Sequence, residues 1–511
     1  MGIANTEFFR LMSRLIDRLQ AACESEGIRR VEIAGVSIDW AETMRYPLLL
    51  QLVTAWQKPP AQLRTNPYYL GRMRWALRDI WQGVRTCGGK RTHDFSTLKD
   101  SHPLVICPRT KAHIPDLMAI ASNLKDSHHQ HVVIALSDKA LKGTLQSYEQ
   151  KLVEFLPPGS PFFPKLFSVG WKLDRHLERI VHTLIDSSTD TLTPELARAT
   201  ILSVFRNYWM HFARLSEAII RFCKTTKPKV LFVGNHYAHD GKLICLIAKE
   251  LGIPSMCIQH GGVLPADPQW DGCHVNLMLA WGESSKSIIT TCGQKENEVA
   301  VTGSPGLDPI FGSMRAERIE DRKTLLVATS GAGDLVSYEQ HLTFVKLLLS
   351  AAKMTPDIQW IVKLNRKDKE VYYVDETGVT PPNLQLKRGP WGSRMGRLEI
   401  YDYLERSSAL LTVSSSSGLD AMAVGLPVIA VLLEQADQVQ ADRHEYFIKG
   451  CVHTVSTAEA LAESARLACS TGLEGPFRER AKNYIQTYYS SPGQSTKRAG
   501  EAILNYLKAH S

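Results

Sequence analysis

The chain has 511 residues, 44% of them apolar and 22% charged. That balance excludes a disordered chain, and the length exceeds one core, so two or three domains are expected. The net charge of +8 suits an anionic small substrate, a lipid surface or nucleic acid, and no nucleic-acid motif accompanies it, so nucleic acid is not an expected partner.

The ten cysteines include no Cys-x-x-Cys pair and no zinc spacing, and Cys107 and Cys245 lie in apolar runs. They read as small hydrophobes in a reducing cytoplasm. Glu7, Arg10, Arg14 and Asp17 interrupt any signal-peptide core. The longest apolar run, Tyr46 to Trp56, contains Gln51 and falls short of the roughly 20 residues of a membrane span. An integral membrane protein is not expected.

Residues 1–95 read as a mainly helical extension. Phe8, Met12, Leu15 and Leu19 recur at helical spacing, and so do Leu70, Met73, Leu77, Trp81 and Val84. The region holds 14 Lys and Arg against 9 Asp and Glu. On its second helix Arg74, Arg78 and Arg85 flank the apolar stripe, with Tyr68 and Tyr69 at its start. Such a helix suits a peripheral contact with the anionic inner face of the plasma membrane, or ordinary packing with solvated arginines.

Residues 96–314 carry a βαβ texture. "HPLVIC" and "HVVIAL" read as strands joined by a helix entered through Pro115. Residues 145–225 read as mostly helical. "KPKVLFVGNHYAHDGKLICLIAKELGIPSMCIQHGG" is a second strand–helix–strand unit, and "VNLMLAWG" and "EVAVTGSPGLD" add two strands. A polar stretch at 312–323 reads as a linker. Residues 315–490 restart the pattern with "KTLLVATSGAGD", a helix, "QWIVKLN", "ALLTV", "SSSSGLDAMAVG" and "PVIAVLL", and a helix is expected over 491–511. The fold class that follows is α/β, two Rossmann-like domains facing across a cleft with an added helical N-terminal region.

Ligands of parallel α/β sheets bind beyond the carboxyl ends of the strands, and four motifs fall there. The glycine loop "TSGAGD" brings Ser330, Gly331 and Gly333, whose backbone can approach an anion closely. "SSSSGLDAM" places the hydroxyls of Ser414, Ser415, Ser416 and Ser417, with Gly418, at a helix start; free amide N–H groups are expected to join them as a phosphate cradle. A plain helix cap needs only one of those serines. "QHGG" puts Gln259, His260, Gly261 and Gly262 at the end of a buried strand, where the glycines leave the imidazole open as a base or phosphate donor. "HDG" ends the preceding loop, so Asp240 is either a base near His260 or a cap for its own helix. Lys363 and Arg366 are candidates to neutralise phosphate.

The set "IQHGG", "VTGSPGLD", "TSGAGD" and "SSSSGLDAMAVGLPVIAV" resembles GT-B glycosyltransferases. It is most similar to the bacterial surface-polysaccharide group of CDP-glycerol-type polyol-phosphate transferases, capsular polysialyltransferases and Kdo transferases. The resemblance spans about residues 100–490. It implies a first domain for the acceptor and a second for a nucleotide-sugar donor (CMP-, UDP- or similar). It places His260 and Gly261 in the cleft and Ser415 and Ser416 on the donor phosphate. Of the acidic-acidic-glycine base motif of polysialyltransferases, "HDG" keeps only Asp240 and Gly241. Where the group often has a histidine-proline pair, this chain has Asn365-Arg366.

The expected activity is inverting, metal-independent sugar transfer to a glycan or lipid-linked glycan acceptor, with no cofactor. The alternatives are polyol-phosphate transfer, a sugar-nucleotide 2-epimerase (whose "TG-x-P-x-x-D" turn looks similar) and a non-catalytic glycan-assembly scaffold.

Overall fold

A computed structural model describes residues 5–57, 95–109, 113–136, 141, 145, 151–155, 163–185, 193–263, 275–308, 323–331, 336, 338–365, 368–388, 396–433, 445–490 and 493–510. The arginine-flanked helix expected around residues 68–85, most of the linker, Gly333 and Arg366 lie outside these residues.

The N-terminal region opens with α1 (Asn5–Ser25), whose Met12, Leu15 and Leu19 are buried as their spacing predicts. It also contains an antiparallel hairpin, β1 (Arg30–Ile33) and β2 (Val36–Asp39), which helical periodicity did not show. Ala34 and Gly35 at its tip both have positive φ, 50° and 74°, as a two-residue type I′ turn requires. Helices α2 (Trp40–Thr43) and α3 (Arg45–Gln57) follow. The buried apolar residues of all these elements belong to one core cluster with those of the first sheet. The extension is therefore built onto that domain.

The first sheet is parallel and seven-stranded. Its strands are β3 (Leu104–Cys107), β4 (Val132–Leu136), β5 (Lys151–Glu154), β6 (Val230–Val233), β7 (Ser255–Ile258), β8 (Leu277–Ala280) and β9 (Val299–Val301). Their order across the sheet is β5-β4-β3-β6-β7-β8-β9. Short runs such as "LVIC" and "VLFV" are buried at every position, because helices cover both faces of such a sheet. The covering helices include α4 (Ile114–Asp126), α5 (Phe163–Ile185), α6 (Pro194–Thr226), α7 (His239–Glu250) and α8 (Glu283–Thr291). Strand β5 interrupts a region whose sequence reads as mostly helical; it pairs only with β4, at the sheet edge.

The second sheet has six parallel strands: β10 (Thr324–Ala328), β11 (Gln359–Lys363), β12 (Leu384–Lys387), β13 (Ala409–Thr412), β14 (Val428–Val431) and β15 (His453–Val455). Their order is β12-β11-β10-β13-β14-β15. Both sheets thus start in the middle, grow to one side, then return and grow to the other, as in the doubly wound dinucleotide-binding fold. The helices here are α9 (Tyr338–Met354), α10 (Gly396–Leu404), α11 (Ser417–Ala423), α12 (Glu445–Ile448) and α13 (Ala458–Cys469).

The chain then crosses back. Helix α14 (Pro476–Tyr488) puts Tyr484, Ile485 and Tyr488 into one apolar cluster with Trp281 and Leu307 of the first domain and Leu419 and Tyr446 of the second. Helix α15 (Ser495–Ala509) packs Ala499 and Ile503 against the α4 side of the first sheet. "VTGSPGLD" is the clamp for this return. Asp308 accepts hydrogen bonds from the backbone N–H groups of Gly493, Ser495 and Thr496, a helix N-cap supplied from outside the helix. Ser304 Oγ and Gly306 N donate to Asp116 Oδ1 on α4.

Candidate functional site

Each sheet reverses its direction of growth at one point, between β3 and β6 in the first and between β10 and β13 in the second. Loops at these points diverge and leave a crevice beyond the carboxyl ends of the strands. Polar residues follow the strands at both points.

In the first domain, β6 runs out into Asn235, His236 and Tyr237, and the neighbouring β7 into Gln259 and His260. Asn235 Oδ1 accepts from the N–H groups of Tyr237 (3.1 Å) and Ala238 (2.8 Å). That fixes the amide, so its NH₂ faces His260 Nε2 at 3.4 Å. The Tyr237 hydroxyl is 3.0 Å from the same Nε2. The Asn235 NH₂ and the Tyr237 hydroxyl both face Nε2, an arrangement that suits an imidazole protonated at Nδ1 with its lone pair on Nε2. The half-buried ring therefore offers a basic nitrogen at a strand end.

His113, buried at the start of α4, packs edge-on against the His260 imidazole, with ring centroids 5.1 Å apart. From the N-terminal region, Tyr46 of α3 packs edge-on against Tyr237 at 4.7 Å.

The flanking residues of "QHGG" have different tasks. Gln259 is fully buried and does not line the crevice. Its side chain accepts from Trp281 N (2.9 Å) and donates to Gly261 O (2.9 Å) and Tyr488 Oη (3.3 Å). It holds the loop to β8 and α14. A Cβ placed on Gly261 meets nothing within 4 Å, so this glycine opens space beside His260.

Asp240 lies in the first turn of α7, two residues after the cap position held by Ala238. Its Oδ1 is 3.0 Å from His211 Nε2 and 2.7 Å from His239 Nε2. Burial opposes its ionisation, but the two histidine hydrogen bonds outweigh that and hold the carboxyl well below the usual carboxylate range. The structure therefore gives Asp240 to His211 and His239, and gives His260 to Asn235 and Tyr237.

The neighbouring His236 is 2% exposed. Burial, with His260 and Lys242 nearby, pushes its imidazole well below the ordinary 6.5. Below pH 6.5 the unfolded chain takes up a proton that the folded chain refuses, so stability is lost as pH falls. Each such group contributes up to about 1.4 kcal/mol per pH unit. The melting temperature is expected to fall between pH 7.5 and 5.5, and His236→Gln should flatten that slope; an unchanged slope would contradict a buried neutral imidazole.

In the second domain the glycine and serine loops meet at the switch point. Gly331 takes a left-handed φ of 65°, and Ser330 Oγ donates to the Ser414 carbonyl. Thr329 Oγ1 accepts from Asn365 N at 2.8 Å, which brings in the end of β11 and Lys363. The Lys363 ammonium stands 5.9 Å from the Tyr403 ring centroid. Ser414 is buried, Ser415 and Ser417 are half-buried and Ser416 is exposed.

The expected free amides are not free. Ser417 N donates to Ser415 Oγ, Gly418 N to Ser415 O and Leu419 N to Ser416 O. The loop closes on itself as a tight turn that engages these three amides, and Ser415, Ser416 and Ser417 are the serines it leaves at least partly exposed. Gly418 is required for a different reason: its Cβ would lie 2.5 Å from Tyr446 Oη, and that hydroxyl donates to Ser415 O at 2.6 Å.

The two loop sets are linked through the crossing helix. Tyr488 Oη accepts from Val263 N at 3.2 Å beside "QHGG". The Tyr484 and Tyr488 rings lie 5.4 Å apart, and Tyr484 Oη donates to Glu445 at 3.0 Å, next to Tyr446. Asn235, His236, Tyr237 and His113 were not singled out from sequence. For the first three the signal was present in "GNHYAHDG", a polar run after a buried strand; His113 precedes Pro115 in "KAHIPD", where nothing marked it.

Comparison with protein-family models and with curated proteins finds no match. Solved structures do align. A protein from Listeria monocytogenes named as a UDP-N-acetylglucosamine 2-epimerase aligns at 11% identity over 80% of this chain and 97% of its own, with a TM-score of 0.50. A UDP-GlcNAc 2-epimerase from Neisseria meningitidis bound to UDP-GlcNAc aligns at 13% identity over 79% and 100% of the two chains, with a TM-score of 0.48. A calicheamicin glycosyltransferase aligns at 13% identity over 80% and 98%, with a TM-score of 0.46. At such identity the first of these establishes architecture alone. The chain has the GT-B fold, two Rossmann-like domains joined by a C-terminal crossover.

Proposed function

We propose that the chain is an inverting glycosyltransferase of bacterial surface-glycan assembly, which moves a sugar from a nucleotide-activated donor to an acceptor hydroxyl. The observation that carries this reading is the oriented His260 Nε2 at the carboxyl end of one sheet, tied through Tyr488 and α14 to a hydroxyl-rich switch point on the other.

The roles follow from this chemistry. The donor's phosphate lies against Ser415, Ser416 and Ser417, with Lys363 supplying charge. The acceptor hydroxyl lies against the His260 side, where Tyr237 and Asn235 hold the ring. His260 Nε2 takes the acceptor proton directly or through the Tyr237 hydroxyl, the acceptor oxygen bonds to the anomeric carbon, and the bond from that carbon to the nucleotide phosphate oxygen breaks. Attack opposite the leaving group inverts the anomeric centre. Hydroxyl and cationic donors aimed at the departing phosphate lower the barrier. Asp240 is the weaker base for this step, because the hydrogen bonds from His211 and His239 hold its carboxyl well below the usual carboxylate range.

The serine assignment is tested by nucleotide binding. Calorimetric titration with CMP, CDP, UDP and GDP should identify one preferred nucleotide, and the Ser415→Ala, Ser416→Ala double variant should weaken it. Loss of a hydrogen bond to a charged group costs about 1.5–3 kcal/mol, so a decrease of at least tenfold is expected with the melting temperature retained. Unchanged affinity would contradict a phosphate role for this loop.

A further inference from the structure

We propose that His211, His239 and Asp240 form a binding site for a divalent transition-metal ion of the zinc class. His211 projects from the long helix α6, and His239 and Asp240 come from the first turn of α7. The three ligand atoms lie within 4.8 Å of one another. Both histidines direct Nε2 at the same Asp240 oxygen, at 3.0 and 2.7 Å, and their ring planes cross at 68°.

In a four-coordinate site with bonds of about 2.0–2.2 Å, ligand atoms stand roughly 3.3–3.5 Å apart. The two distances to Asp240, 3.0 and 2.7 Å, fall short of that spacing by less than an ångström, so small outward shifts of the side chains would admit the ion. As the protein stands, one carboxylate oxygen serves two imidazole N–H groups. A metal ion replaces those two protons and uses the same three lone pairs.

Two imidazole nitrogens and a carboxylate oxygen suit zinc and its neighbours; magnesium and calcium prefer oxygen alone. Exposure fits an ion that enters from solvent and keeps a water. The His211, His239 and Asp240 side chains are 33%, 20% and 10% exposed, so the protein closes one side and leaves another open. The scaffold is fixed, because α6 and α7 bury apolar residues in one core cluster and Lys242, one turn further along α7, is 3.1 Å from Glu42 of the N-terminal region. The ion would pin the start of α7 to α6, immediately after the loop that carries Tyr237. The site rests on these three side chains and not on the sugar-transfer reading.

The test uses the full chain, freed of metal by a chelator and titrated with Zn²⁺ and with Co²⁺. One saturable equivalent of Zn²⁺ is expected, with a raised melting temperature. Bound cobalt should show the visible absorption of a four-coordinate site without thiolate-to-metal charge transfer, which separates this site from binding at cysteines. His211→Gln and Asp240→Asn should each weaken zinc by about 100-fold or more. The absence of a saturable equivalent, or one that both variants leave intact, would overturn the site. Should either variant misfold, His239→Gln and the wild-type cobalt spectrum decide, and a thiolate or six-coordinate spectrum counts against it.

Discussion

Replacing His260 with alanine is expected to lower kcat by about 10²–10⁴-fold while changing nucleotide affinity far less. A base acts on the acceptor proton in the transition state, and the serine loop proposed to hold phosphate belongs to the other domain. Tyr237→Phe separates two versions of the step. If the hydroxyl only orients the ring, the Phe variant loses about tenfold or less, since Asn235 still faces Nε2. If it relays the proton, the loss approaches that of His260→Ala. Asp240→Asn is the comparison. Loss of turnover there with retention in His260→Ala would move the base to Asp240, and unimpaired transfer in both variants would remove "QHGG" from the chemistry.

The second large effect concerns Gly241. A Cβ at this position would lie 1.6 Å from the Asn235 carbonyl oxygen and 2.8 Å from its carbon. Those are backbone atoms that cannot swing aside, so the start of α7 or the Asn235 loop has to move. Overpacking of this kind costs about 1–3 kcal/mol or more, which for a domain of this size is a fall of roughly 2–4 °C per kcal/mol. Gly241→Ala should also lower turnover, because the displaced residue is the one that orients His260. Gly261→Ala should leave the melting temperature within the change of about 0.5 kcal/mol typical of open positions, since nothing lies near its added carbon. Equal destabilisation by the two would contradict the packing described here.

Much of the fold was legible because a parallel sheet buried on both faces writes itself as short apolar runs. "LVIC", "VLFV", "SMCI", "LMLA" and "VIAV" are all strands buried at every position. The hairpin at β1 and β2 was not legible, since its alternation is only four residues long on each side and helical spacing surrounds it. Strands β5, β12 and β15 escaped for a related reason. They are short edge or near-edge strands whose charged or polar residues (Lys151, Glu154, Gln385, His453) dilute the apolar signal.

His260 and the serine loop were found by position, as polar residues at the ends of buried strands. The partners of Asp240 could not be found this way. His211 sits mid-helix, 29 residues earlier in the chain, and meets Asp240 only when α6 packs on α7. The sealed amides of the serine loop were also invisible, because a self-closed turn and an open cradle share one sequence. "VTGSPGLD", read from the sequence as a strand and as part of the family resemblance, is the clamp on the crossover.

The most direct test is product analysis with the preferred nucleotide sugar and a matched glycan acceptor, followed by NMR. Free nucleotide should appear in step with a new glycosidic bond of inverted anomeric configuration, and both should collapse in His260→Ala. A sugar nucleotide epimerised at C2 without bond formation to acceptor, or nucleotide-sugar binding with no transfer in the wild type, would contradict the account.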